Sequence, residues 1–225
     1  MDDALLRYSK KIAMRTAMLP LRLFPMKKNR VLLINGLAQN YAGNPKAVAE
    51  YLLERQEEKK LDLWYAVRDP EKYRDMESRG IRFVKYNSLK YYITALTSKV
   101  LLSNSGGYSY IPLRKSQIVI NTHHGGGAYK KVGRYVYEDT PLFRKDMRLS
   151  AKAVTVFLST CTRFTEVISD SFLVEKEKFW EIGMPRNDIL LRNFDEGRQT
   201  VRERLGLKEG EKLVASFDIN AEARV

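Results

Sequence analysis

Two histidines stand side by side at positions 123 and 124, followed by Gly125, Gly126 and Gly127 and then by Lys130 and Lys131; the chain has no other histidine. An imidazole takes up a proton near neutral pH, which is what a general base must do. Glycines let backbone amides approach phosphoryl oxygens closely, and lysines supply countercharge. Chemistry alone leaves two readings of this stretch open: His124 as a base beside an anion-binding loop, or an ordinary turn after a strand. Zinc is disfavoured, because a structural zinc takes four Cys or His ligands at recognisable spacing, and Cys161 is distant. Neighbouring strand residues face opposite ways, so the two imidazoles are expected to diverge.

A second stretch, EIGMPRNDIL at 181–190, places Gly183 and Pro185 at a turn. Arg186 adds a forked cation there, and Asn187 and Asp188 are suited to capping a following helix.

These residues need elements to hold them, and the chain supplies an alternation. RVLLIN, LDLWYAV, IRFVKY, VLLSNS, QIVINT and AVTVFLS are short apolar runs of the kind that form buried strands. Between and after them lie amphipathic stretches. NPKAVAEYLLERQEEKK is predicted to start at an Asn44 N-cap with Pro45 in the first turn, and DPEKYRDMESRG to close at Gly80. SLKYYITALTSK, CTRFTEVISDSF and GRQTVRERLG are further helices, KFWEIG a strand, and KLVASF the start of another. Strands alternating with helices predict an α/β fold with a doubly wound, Rossmann-like parallel sheet. Ligands of such sheets sit beyond the carboxyl ends of the strands. The loops to watch are therefore NGLAQNYAGNP, NSGGYSYIPLRK and HHGGGAYKKVG.

The chain has 225 residues, a formal charge of +13 and a pI of about 9.7, which favours polyanionic partners. Its tyrosines are scattered rather than gathered with basic residues into a stacking patch, so nucleic acid is not an expected partner. The N-terminus concentrates the charge. Arg7, Lys10, Lys11, Arg15, Arg22, Lys27, Lys28 and Arg30 stand against Asp2 and Asp3, a side-chain balance of +6. Within LLRYSKKIAMRTAMLPLRLFP these cations border an apolar side, the pattern of a helix lying on anionic lipid, ended by Pro20 and Pro25. No run approaches the ~20 apolar residues of a membrane span. The single Cys161 allows no internal disulfide, is expected to pack as a small apolar residue, and fits a reducing compartment. The organisation predicted is a basic amphipathic segment over 1–29, a Rossmann-like domain over 30–207, and the start of a second domain or interdomain segment over 208–225.

Taken together, INTHHG…KKVG and, some fifty residues later, EIGMPRNDIL resemble the CDP-glycerol glycerophosphotransferases of teichoic-acid and capsule synthesis over about residues 30–205. FLSTCTRFTEVISDSF between them is similar to the strand and helix that precede the family's second motif. The family pattern has Trp where this chain has His123. The resemblance implies the N-terminal, acceptor-side half of a GT-B glycosyltransferase fold. It implies transfer of glycerol phosphate from CDP-glycerol to a hydroxyl of a lipid-linked polymer acceptor, with release of CMP and no cofactor, at the cytoplasmic face of the membrane. His124 falls at the family's proposed base. Gly125, Gly126, Lys130 and Arg186 become binders of anionic groups, with Asn121 and Asn187 positioning loops. The donor-binding half would begin near KLVASF, so the expectation is an acceptor-side half, completed by a second chain or inactive alone. The alternative is a non-catalytic, membrane-associated module that binds an anionic lipid-linked acceptor.

Overall fold

The computed structural model describes residues 3–106, 108–127, 129–136, 140–192 and 194–214. Packing divides the chain after Arg186 into two units. The first is a seven-stranded, wholly parallel sheet in the order β3-β2-β1-β4-β5-β6-β7. The strands are β1 (Lys27–Ile34), β2 (Asp62–Val67), β3 (Ile81–Lys85), β4 (Ser98–Ser103), β5 (Ile118–Asn121), β6 (Val156–Ser159) and β7 (Phe179–Glu181). This is the doubly wound α/β architecture that the alternation predicts.

The apolar runs become central strands because both faces of the sheet are covered. Leu32 and Ile34 of β1 point into one core with Trp64, Ala66, Tyr91, Leu96 and Leu101. Val31 and Leu33 point into the other with Leu63, Tyr65, Ile81 and Phe83. Period-two alternation thus feeds two cores at once, and each fully buried side chain stabilises the fold by about 1.5–3 kcal/mol. The helices of this unit are α1 (Asp3–Ala17), α2 (Gly43–Leu53), α3 (Gln56–Lys59), α4 (Leu89–Thr97), α5 (Pro141–Ala153) and α6 (Thr162–Phe172). Ser88 caps α4 by accepting from the Tyr91 amide. Gly80 closes the 3-10 stretch Pro70–Arg79 in the left-handed conformation, φ +95°.

Several local expectations change. Asn44 does not cap α2; Ala42 occupies that position, and Asn44 lies inside the first turn, fully buried. Helix α5 has no counterpart in the sequence reading. Thr140 caps it by accepting from the Phe143 amide and Pro141 opens it, but within it only Met147 and Ala151 are buried, too few to print a helical period. Cys161 is exposed at the N-cap of α6 rather than packed. Lys212 to Val214 form no strand, and the rest of KLVASF, with the tail to Val225, lies outside the described residues.

The basic N-terminal segment is tied into the first unit. Lys11 pairs with Asp146 on α5, and the Arg15 guanidinium donates to the carbonyls of Ser109 and Ile111. After a 3-10 turn at Leu19–Leu23, the chain enters β1, and Met18 is buried in the first core. Arg7 and Lys10 remain exposed, as do the apolar side chains Leu5 and Ile12. Among the described residues no helix is long and apolar enough to cross a membrane.

The second unit, from Asn187, holds the helices α7 (Ile189–Arg192) and α8 (Phe194–Leu205) among its described residues. Gly206, at φ +62°, follows α8, and Arg202 donates to the Glu211 carbonyl to hold the turn beyond it.

Candidate functional site

The strand order reverses between β1 and β4, so the loops beyond their carboxyl ends, with that after β5, flank the switch point where α/β sheets bind ligands. Asparagine side chains stitch these loops together. Asn104 accepts from the Gly36 amide and donates to Asn35, whose own amide reaches Asn40.

Strand β5 ends at Asn121, earlier than the sequence suggests. Asn121 is buried, and its side-chain oxygen accepts from the His123 amide at 2.8 Å, turning the chain out of the sheet. His123 adopts the left-handed conformation, φ +52°. Strand alternation therefore does not apply to the histidine pair. The two imidazoles stack, 4.5 Å between centroids and 17° between planes, instead of diverging. His123 faces inward, 5.6–6.2 Å from the rings of Phe157, Phe164 and Phe172. Its Nδ1 accepts from the Gly125 amide at 3.1 Å. Burial, reinforced by the charges of His124 and Lys130 and opposed by the Gly125 contact, pushes the His123 pKa down to about 4. His123 is a neutral aromatic platform.

His124 lies exposed on that platform. Its pKa is also lowered, first by partial desolvation and then by Lys130 and Arg186. The last two causes are informative: they bring a cation from the glycine loop and a cation from the second motif to bear on one imidazole. His124 is thereby held neutral near pH 7, the form that accepts a proton. Stacked rings direct their nitrogen lone pairs along parallel planes rather than at one ion. Among the described residues no three His, Cys, Asp or Glu side chains gather as a metal site.

The glycines differ in what they offer. The Gly125 amide is committed to His123, so it is turned away from the anion-binding role read for it. Gly126 is exposed, its carbonyl fixed by the Thr160 hydroxyl at 2.7 Å, and its amide has no partner among the described residues. Gly133 has a structural reason. At φ +56°, a Cβ there would lie 2.0 Å from the Ser171 carbonyl oxygen on α6. We expect Gly133→Ala to cost about 2 kcal/mol, from overpacking and left-handed strain. Urea unfolding measures it; a loss within the ~0.5 kcal/mol of an ordinary surface change would show that the loop does not dock there.

The second motif is built on β7. The amides of Ile182 and Gly183 both donate to the Ser159 carbonyl, and Gly183 turns the chain at φ +82°. Met184 then plugs the core formed by Phe157, Phe164 and Ile168. Pro185 opens a 3-10 turn, Pro185–Asp188, that carries the exposed Arg186. Lys130 and Lys131 are exposed as well. Asn187 begins the second unit. Asn44, expected from the sequence only as a helix cap, lies between the two motifs. Its side chain donates to the His123 carbonyl at 2.9 Å and accepts from the Arg186 amide at 3.2 Å. An Asn-Pro pair in a loop at the binding edge is the only local signal it gives, and that signal reads equally well as a cap.

The chain is similar to known proteins over most of its length. The family model described as CDP-glycerol:poly(glycerophosphate) glycerophosphotransferase matches residues 16–216. A teichoic acid poly(glycerol phosphate) polymerase of Staphylococcus epidermidis is 26% identical over 183 residues, 78% of this chain and 25% of the relative. Its counterpart in Bacillus spizizenii is 24% identical over 200 residues, 85% of this chain and 50% of the relative. The chain thus spans a quarter to a half of these relatives. Among solved structures, the wall teichoic acid polymerase TagF superposes with a TM-score of 0.68 at 22% identity, covering 93% of this chain and 53% of that one. A histidine variant of TagF soaked with CDPG superposes with a TM-score of 0.73 at 21% identity, covering 96% and 56%.

Proposed function

Since this chain belongs to the CDP-glycerol:poly(glycerophosphate) glycerophosphotransferase family, we propose that it carries the acceptor-activating side of a glycerol phosphate transfer. His124 removes the proton from an acceptor hydroxyl. The resulting alkoxide attacks the β-phosphorus of CDP-glycerol, a new phosphodiester forms, and the bond to CMP breaks. Lys130 and Arg186 offset the negative charge of the phosphoryl groups, and the Gly126 amide is available to a phosphate oxygen. Asn121 positions the loop rather than touching substrate. The observation that carries this reading is the exposed His124 resting on a buried neutral aromatic ring, with Lys130 and Arg186 both acting on it.

The acceptor is a lipid-linked, anionic polymer chain, met at a membrane surface. Arg7 and Lys10, exposed on α1, are cations suited to anionic lipid. Because Lys11, Arg15 and Met18 hold α1 in the fold, substitution tests this better than deletion. Neutralising Arg7 and Lys10 to Gln is expected to weaken flotation with anionic vesicles roughly 30-fold, at about 1 kcal/mol per cation. Equal binding by the variant would remove these cations from the membrane contact.

The transfer itself is tested by CMP release from CDP-glycerol in the presence of acceptor-bearing vesicles, with any partner chain that copurifies. The proposal requires release that depends on both donor and acceptor. Vesicle binding with no release at saturating donor would favour the non-catalytic acceptor-binding module instead.

A further inference from the structure

Asn44 is fully buried in the first turn of α2, which follows β1, separated from β7 by three strands in the sheet order. A buried amide must satisfy its donors and acceptor, and this one does so on two distant loops. Its Nδ2 donates to the carbonyls of His123 (2.9 Å) and Thr122 (3.3 Å) and lies 3.3 Å from the Met184 sulfur. Its Oδ1 accepts from the backbone amide of Arg186 at 3.2 Å. The sequence separations are 78 to 142 residues. Among the described residues no other side chain hydrogen-bonds both the His123–His124 segment and the Met184–Arg186 turn.

We propose that Asn44 is a positioning residue, locking the backbone that carries His124 to the backbone that carries Arg186 so that imidazole and guanidinium meet the substrate as a fixed pair. The proposal rests on the transfer reading above. An amide is suited to this task because it donates on one side and accepts on the other. Asp would present only acceptors to two carbonyls, and Ala would leave a buried carbonyl and a buried amide unpaired. Gly43, at φ +66°, brings the turn close against the asparagine cluster, where a Cβ would lie 3.1 Å from the Asn35 side-chain oxygen. The loop after β1 is thereby held tightly enough to serve as the reference for both partners.

The chain has only two histidines, so imidazole NMR resolves each titration. Facing His124 are the charges of Lys130 and Arg186 and the ring of His123. In Asn44→Ala, release of the Arg186 turn is expected to move the His124 midpoint upward. His123, still boxed by phenylalanines, keeps its lowered titration. The volume-conserving Met184→Leu, which removes the sulfur contact but keeps the Asn44 hydrogen bonds to Thr122, His123 and Arg186, is expected to leave both titrations in place. In the transfer assay Asn44→Ala should lower kcat roughly 10–100-fold, the scale of a small misplacement of reacting groups. A folded Asn44→Ala with an unmoved His124 titration and unchanged kcat would overturn the proposal. If the unsubstituted chain, assayed with any partner chain that copurifies, releases no CMP, the transfer reading fails on its own, and the titration still decides the role of Asn44. If Asn44→Ala does not fold, hydrogen exchange on the unsubstituted chain decides. Slow exchange at the Asn44 side-chain amide and the Arg186 backbone amide is required, and exchange at exposed-amide rates at both overturns the link.

Discussion

His124→Ala is expected to lower the rate of glycerol phosphate transfer by about 10²–10⁴-fold, the range that a positioned general base contributes. The loss should fall on kcat. His124 is exposed and its removal empties no core, so the fold should keep its unfolding midpoint. Its pH profile makes the test specific. Partial desolvation, and then Lys130 and Arg186, hold the imidazole below its ordinary value. The unsubstituted protein should therefore gain activity with rising pH over a limb below that value, and remain on a plateau through neutrality. The variant should lose that limb along with its rate. Radiolabelled glycerol phosphate incorporation across pH 5–8 measures both. Transfer at the unsubstituted rate would exclude His124 as the base.

The neighbouring histidine is predicted to act on stability. His123 titrates near 4 in the folded chain, against about 6.5 when unfolded. The folded-state value is the lower one, so the unfolded chain binds the extra proton between them. The stabilisation is complete above about pH 6.5 and is lost as pH falls toward 4. The linked free energy is about 3 kcal/mol. His123→Phe keeps an aromatic ring against Phe157, Phe164 and Phe172 and removes the proton site. It also removes the acceptor of the Gly125 amide, so some stability at pH 7 is expected to go. Urea unfolding of both proteins at intervals from pH 7 to 4.5 separates the effects. The variant's stability should fall less steeply with acid, and parallel curves would show that His123 is not buried neutral.

The two predictions divide a pair that is identical in type and adjacent in sequence. The resemblance of HHG…KKVG and GMPRND to a family pattern could nominate His124, where composition and spacing alone left a base and a turn both open. Neither resemblance nor spacing could assign His123, because the assignment depends on a backbone angle. Strand alternation, a sound rule while the chain is extended, predicted divergence. The left-handed turn that Asn121 stabilises produced stacking instead. Similarly, Gly125 and Gly126 look alike in the sequence. One donates its amide to a buried ring and the other leaves it exposed.

The order of strands and most helices, and the edge of the sheet where the loops gather, were legible because they follow from local periodicity. Two-faced burial makes strands read as apolar runs, Gly80 marks a helix end by its left-handed backbone, and Ser88 marks a helix start by its hydroxyl. Helix α5 escaped because only Met147 and Ala151 bind it to the core, and Cys161 was misplaced because burial is not a property of residue type alone. Asn44 escaped for a deeper reason. As a local residue it reads as a cap, and its actual partners are 79 and 142 positions away. The sequence by itself thus determined the α/β alternation, the basic character and the two motifs, all properties of short stretches. Only the tertiary structure decided which histidine is exposed, which glycine amide is left over, and which asparagine joins the motifs. Those outcomes depend on distant segments meeting, and a buried polar group takes its role from whatever it meets.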